Sequence, residues 1–449
     1  MKRMIAIALM VSILTTLAAC DTSKPDDSTQ VPATSAEVTE TAQLLDPTEA
    51  TQESTEASEQ TESTELPETE IIYPLTDPIR VLFCSYTEYP YFAMLGTCNE
   101  GATVTAQIGE ETYSSQSYKG WFSLRLPSEY GTADVTLTQT VNGAVFGEPI
   151  EYTAWPVTPG EGRWPVVAGG NYQFFLQSAL PDYQKTNVDP DEVYQSFETI
   201  LEGRLETMHE YNPDAEIIYL IVPSAMTIYP ELVPEDYERG GGESRLDKIT
   251  TAIRNAGGTV IDLRSVFSAH KNDGMTLYRK LDSHWGEYGA YLAYEALFDH
   301  IAEKFPQAAP RSVDEFNWNP GYYNGGDIAY YMAMPQSEAR EYAYYRTFNF
   351  DAPSQITSIP RYTSTESLFY NDAMTPDIVI STDRPELPSC MVIRDSYSTQ
   401  IFDILAERMD RTHYLGMWNY TWYGSLVKSE QPDYVIYVVA EWNINYLLK

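Results

Sequence analysis

Two short segments hold the residue types that could do covalent chemistry. Asp282-Ser283-His284-Trp285 puts a carboxylate and an imidazole two positions apart, and Arg394-Asp395-Ser396-Tyr397-Ser398 sets a serine in a polar turn after an apolar run. A serine hydroxyl needs a base at neutral pH, normally histidine, and the chain has five. His209 and His300 fall in helical stretches among charged neighbours, His270 in a polar loop, 268–274, and His413 behind Arg408-Met409-Asp410-Arg411, so all four read as solvated. His284 alone has an aspartate two residues before it and a tryptophan after it. In an extended segment positions i and i+2 point to one side. Asp282 would then fix the tautomer of His284 and stabilise the imidazolium formed when Ser396 loses its proton.

Ser396 comes first after the run Met391-Val392-Ile393, where its own backbone N–H can face an oxyanion near the positive end of a following helix; a second oxyanion donor is not assigned. Ser398 reads as the cap of that helix, Asp395 as a turn former, and Arg394 as a structural residue or one facing a carboxylate or substrate. Taken alone, these residues suit a helix-entry histidine and a plain turn serine equally well.

The elements around the two segments alternate. Helical spacing marks 191–211, 246–256, 287–305 and 399–408, and short apolar runs mark strands at 217–222, 259–263, 389–393 and 434–439. Strands alternating with helices predict an α/β fold with a parallel sheet. Both candidate segments then fall on loops at strand or helix ends, where open sheets keep their sites. Upstream, residues 73–155 show short alternating runs at 79–83, 91–95, 102–106, 121–126 and 133–138 with no helical stretch, which predicts a small all-β sandwich without a catalytic grouping, read as a spacer or weak binding module.

The chain opens with Met1-Lys2-Arg3, an apolar stretch to Leu14, and Leu17-Ala18-Ala19-Cys20. This pattern predicts an export signal at 1–19, too short for a stable spanning helix. Residues 20–72 are rich in Thr, Ser, Glu and Pro and predict a disordered acidic linker, with 14 acidic residues and one lysine between Asp21 and Ile71. A net charge of −37 excludes nucleic acid and anionic headgroups as expected partners. The 35 tyrosines and 8 tryptophans suit a carbohydrate handler, since rings stack on sugar faces while hydroxyls hydrogen-bond them. Cys84 and Cys98 are candidates for a disulfide in an exported chain, Cys390 reads as a buried apolar residue, and no cysteine cluster has metal-ligand spacing, so neither metal nor cofactor is expected.

The block Tyr278 to Trp285, with Gly289-Ala290 after it, resembles the Asp-x-His-Trp signature of the SGNH-hydrolase-like proteins of alginate O-acetylation, AlgX and AlgJ, and of the Gram-positive DHHW proteins. Val222-Pro223-Ser224 with Tyr229-Pro230, Val260 to Leu263, Gly326-Asp327-Ile328, Arg394 to Ser398, Pro432 to Ile436 and Glu441 follow in the same order, so the resemblance covers about 164–449. It implies an SGNH-like sheet with Asp282, His284 and Ser396 as triad, Arg394, Tyr397 and Trp285 as site or substrate support, and acetyl transfer or hydrolysis on a polysaccharide or cell-wall glycan. A membrane-bound acyl-donor protein would be a further partner. Ala225 departs from the pattern, where relatives often carry lysine, and an all-β region precedes the resembling segment; a glycan other than alginate is expected. Phrases such as Gly101-Ala102-Thr103-Val104 resemble bacterial immunoglobulin-like modules, and the N-terminus resembles a lipoprotein signal with Cys20 as the lipidated residue, which implies tethering to the outer face of a Gram-positive membrane. The rival expectations are a non-catalytic glycan-binding or envelope-organising lipoprotein on a degenerate SGNH scaffold, and a plain esterase of small molecules.

Overall fold

The computed structural model describes residues 77–127, 132–160, 165–359 and 375–448. The expected signal, Cys20 and the acidic stretch 20–72 lie outside the described residues.

Residues 80–154 form seven strands: β1 Arg80–Tyr86, β2 Tyr91–Thr97, β3 Thr103–Ile108, β4 Glu111–Gln116, β5 Trp121–Pro127, β6 Ala133–Val141 and β7 Ala144–Ala154. They make two antiparallel sheets, ordered β1-β2-β5 and β4-β3-β6-β7. Inward positions such as Phe92, Met94, Val104, Phe122, Leu124, Val135 and Leu137 fill the space between them. β4 escapes the sequence pattern because polar residues dominate it, and β7 because Gly147 and Pro149 interrupt it; most of their side chains face water.

Cys84 and Cys98 are both free and buried, which corrects the expected disulfide. Cys84 pairs with Met94 across β1 and β2, whereas Cys98 lies beyond the last pair of that ladder, Arg80 with Thr97. Four residues along a strand span about 13 Å, beyond the reach of a disulfide. Burial instead pushes both thiols up to about 12.

After the short strands β8 Val166–Ala168 and β9 Phe174–Leu176, the chain builds a six-stranded sheet from β10 Glu216–Val222, β11 Thr259–Asp262, β14 Ile378–Ser381, β15 Ser389–Arg394, β16 Arg411–Tyr414 and β17 Tyr434–Ala440. Its order is β11-β10-β17-β15-β16-β14, parallel throughout except for β14, which runs antiparallel at one edge. β17 is buried along its whole length, which explains its unbroken apolar run. The helices Asp191–His209 and Arg245–Asn255 cover one face, and Glu287–Lys304 with Phe402–Glu407 the other. A hairpin of β12 Phe316–Asn324 and β13 Arg340–Phe348 stands outside this sheet.

The all-β region packs directly under the Asp282 loop. Phe83, Ala93 and Leu95 share one cluster with Val166, Leu281, Ile328 and Met332. Ser85 Oγ donates to the Met332 carbonyl at 2.6 Å, and Arg125 joins Glu88 at 2.6 Å to Asp236 through two bonds of 2.9 Å. The Lys280 ammonium lies 4.5 Å from the centroid of the Tyr118 ring.

Candidate active site

β15 and β17 deliver their C-terminal ends side by side, and the turn at Ser396 is fixed there by Asp395. The Asp395 N–H donates to the Val438 carbonyl at 3.1 Å. Its carboxylate accepts from Tyr397 N–H at 2.9 Å, Ala440 N–H at 2.8 Å and Asn443 Nδ2 at 2.7 Å. Burial holds the Asp395 carboxyl above its ordinary value against these donors. Asp395 is thus the cap of a one-turn 3-10 helix, Ser396–Gln400, and Ser398 is not: its hydroxyl donates back to the Asp395 carbonyl at 2.8 Å. Among the described residues the Ser396 N–H meets no acceptor.

The loop before the helix Glu287–Lys304 carries the other two residues. Tyr278 and Trp285 form an isolated antiparallel bridge, closed by Arg279 N–H to the His284 carbonyl at 3.1 Å and Gly286 N–H to the Leu277 carbonyl at 2.7 Å. The returning chain crosses it at Gly326, with φ of +110° and the Leu281 carbonyl oxygen 2.2 Å from where a Cβ would stand. Only glycine fits there.

The structure brings Asp282, His284 and Ser396 together. His284 Nε2 stands 2.8 Å from Ser396 Oγ and Nδ1 stands 2.7 Å from Asp282 Oδ1, which also accepts the His284 N–H at 2.9 Å. With the ring proton on Nδ1, Nε2 is left to accept from the serine. Asp282 is buried, whereas His284 and Ser396 are partly exposed. Burial opposes charging of His284, but the charge and hydrogen bond of Asp282, with Asp327 and Asp395, outweigh it and hold the imidazole above its ordinary value. Burial likewise opposes ionisation of Asp282, yet His284 and Arg279 keep that carboxyl below its ordinary value.

Trp285 and Tyr397 lace the two segments together. Trp285 Nε1 donates to the Tyr397 carbonyl at 2.9 Å, the Tyr397 hydroxyl donates to the Ser283 carbonyl, and the Tyr397 and His284 rings lie 4.8 Å apart. Arg394 does not reach the site: its buried guanidinium donates to the carbonyls of Leu415 at 2.8 Å and Pro376 at 3.1 Å.

Tyr323 was missed in the sequence, and Asp327 entered there only within the resembling motif Gly326-Asp327-Ile328, with no role assigned. The Tyr323 hydroxyl, from β12, donates to Asp282 Oδ2 at 3.2 Å, and the Arg279 guanidinium stands 4.0 Å from the centroid of the same ring. Asp327 accepts both the N–H of Ser283, at 2.7 Å, and its hydroxyl; burial and the Asp282 charge push its carboxyl up to about 6. Asp282, His284 and Asp327 place candidate metal-ligating atoms within 4.8 Å of one another. Both ring nitrogens of His284 and both Asp327 oxygens are already engaged, however, by Asp282 and Ser396 and by Ser283.

The other histidines sit elsewhere. His270 ends a helix and pairs with Asp273 at 2.6 Å, His300 pairs with Glu216 at 2.9 Å, and His209 meets the Ala215 carbonyl at 3.0 Å. His413 is not solvated as its charged neighbours suggest: β16 buries it, with Nδ1 2.8 Å from Glu430.

Residues 200–380 match the family model described as SGNH hydrolase-like domain, acetyltransferase AlgX. The AlgX-like segment holds Asp282, His284, Tyr323 and Asp327 and ends before Ser396. No curated protein matches the chain. Solved structures similar to it include the O-acetyltransferase domain of Pseudomonas putida AlgJ (16% identity, TM-score 0.41, 64% of this chain and 94% of that one). Bacillus cereus PatB1 aligns at 16% identity and TM-score 0.44, over 58% of this chain and 94% of its own. A DHHW family protein from Eubacterium siraeum aligns at 14% identity and TM-score 0.40, over 69% and 91%. Among the described residues no helix is long and apolar enough to cross a membrane.

Proposed function

We propose that this chain is an extracytoplasmic serine O-acyltransferase or esterase, tethered through lipidated Cys20, that transfers or removes acetyl groups on a cell-surface polysaccharide or cell-wall glycan. The observation that carries this reading is the unbroken chain of contacts Ser396–His284–Asp282, at 2.8 Å and 2.7 Å. Ser396 Oγ attacks the acyl carbonyl while His284 Nε2 takes its proton, and Asp282 balances the imidazolium. The Ser396 N–H serves as one oxyanion donor. His284 then returns the proton to the departing group, leaving an acyl-serine. A sugar hydroxyl or water attacks that ester, again giving its proton to His284, and Ser396 is released. Acetyl as the acyl group draws support from the family model at 200–380. Trp285 and Tyr397 act as positioning residues, and the acyl group would come from a membrane-bound acyl-donor protein.

The test pairs p-nitrophenyl acetate with a serine-reactive fluorophosphonate. Acetate release and labelling at Ser396 are expected, both lost in Ser396→Ala. No release and no labelling in the wild-type protein would leave the non-catalytic glycan-binding reading standing. Acetyl groups appearing on added oligosaccharide would separate transferase from esterase.

A further inference from the structure

The segment Gly416-Met417-Trp418-Asn419-Tyr420-Thr421-Trp422-Tyr423 joins β16 to the helix Gly424–Glu430 and holds four aromatic residues and no charge. Its rings divide by direction. Tyr420 and Trp422 pack on the sheet core, whereas Trp418 and Tyr423 stay 41% and 38% exposed. Tyr446, 45% exposed, stacks on Tyr420 with centroids 5.0 Å apart and planes within 6°.

The loop is tied to the Ser396 turn. Trp418 N–H donates to the carbonyl of Arg394, two residues before Ser396, at 2.9 Å; Met417 N–H donates to the Thr375 carbonyl at 2.8 Å, and Gly416 N–H to Asp377 at 2.5 Å. Trp418 itself has φ of +63°. A bulky side chain is seldom held in the left-handed region unless the surroundings over-determine it, and such strain concentrates at functional sites. Here it keeps a large ring partly in water on a loop whose main chain is bonded two residues before Ser396.

We propose that Trp418, Tyr423 and Tyr446 form a stacking platform for an uncharged glycan next to Ser396. Pyranose rings present apolar C–H faces to aromatic rings, and the polar tips of tyrosine meet their hydroxyls. Asn419 Nδ2 already donates to the Tyr423 hydroxyl at 2.7 Å, which orients that tip. Charge selects the class of sugar. A polyuronate brings a carboxylate with every residue, and the loop supplies no cation in a chain of net charge −37. A neutral hexose or N-acetylhexosamine polymer meets no such repulsion. The platform's part in catalysis rests on the triad reading above; its binding of sugar does not.

The test titrates the full-length Ser396→Ala protein, in which no turnover intervenes, with cellotetraose, chitotetraose and tetragalacturonate, following tryptophan fluorescence and calorimetry. Saturable binding of at least one neutral tetramer is expected, with none of tetragalacturonate. Adding Trp418→Gly, which suits the positive φ, should weaken that binding at least tenfold, and adding Tyr446→Ala should weaken it severalfold. Binding of tetragalacturonate alone, no binding of any tetramer, or binding untouched by both substitutions would overturn the platform. Fluorophosphonate labelling of the wild-type protein decides the triad separately: no labelling with binding intact sinks the enzyme reading alone, and labelling without binding sinks the platform alone.

Discussion

The Ser396 turn hangs from the sheet, whereas the His284 loop is gripped by side chains from outside it. Ser396 follows a central strand, and the groups around Asp395 are mostly main chain: Val438, Ala440 and Tyr397, with the Asn443 amide. The His284 loop belongs to none of the sheets and holds only the isolated Tyr278–Trp285 bridge. Its neighbours are Tyr323 and Glu341 from the hairpin, Asp327 from a short helix, and the all-β cluster beneath Leu281. A serine placed by the sheet cannot drift without unfolding it. A histidine placed by side chains can be tuned one residue at a time, and substitutions on the two sides should therefore fail differently.

The largest effect is expected on the loop side, at Asp282→Asn. The amide keeps the shape but favours the wrong His284 tautomer, so kcat should fall by about 10⁴. Thermal unfolding should move little, and a fall below tenfold would remove Asp282 from the chemistry. On the turn side, Asp395→Ala strands three buried or half-buried donors, each costing about 1–3 kcal/mol when left unsatisfied. Stability should drop by about 3 kcal/mol or more, read as a lowered denaturant midpoint, and activity should fall with the folded fraction and with the lost turn geometry.

How far each side was readable in the sequence follows the same division. β10, β15 and β17 are apolar runs because the sheet buries them on both faces. Scarcity exposed the Ser396–His284–Asp282 grouping: one histidine of five had an aspartate two residues before it and a tryptophan after it. The hairpin stayed hidden because Pro320 and Gly321, in the middle of β12, read as strand breakers. Tyr323 went with it, one tyrosine among 35, since nothing local tells a hydroxyl aimed at a carboxylate from one in water. His413 misled because its charged neighbours describe the strand's approach, not the pocket where Glu430 meets it. Cys84 and Cys98 misled because an exported location permits a disulfide without supplying the register for one.

A smaller effect is expected at Asp327→Asn. The Asp327 charge helps to hold His284 above its ordinary value. Removing it lowers that value, so the base is free at lower pH and the rising acidic limb of kcat/KM should move down. The asparagine can still accept from Ser283, so the fall in kcat at neutral pH should stay within about tenfold, the scale of one charge-assisted hydrogen bond.

Tyr323→Phe should do least to the rate and most to the interpretation. It removes a 3.2 Å hydrogen bond to Asp282 Oδ2. A bond of this length is worth about 1 kcal/mol, which sets an expected fall of roughly fivefold in kcat. Freed of that donor, Asp282 becomes a stronger acceptor for the Nδ1 proton of His284 and should raise its pKa, so the acidic limb should move up. Two supports of one loop would then shift the same limb in opposite directions, which a general loosening of the loop cannot do. If both substitutions moved the limb the same way, or neither moved it, the supports would be scaffolding alone and the contrast between turn and loop would reduce to one of stability.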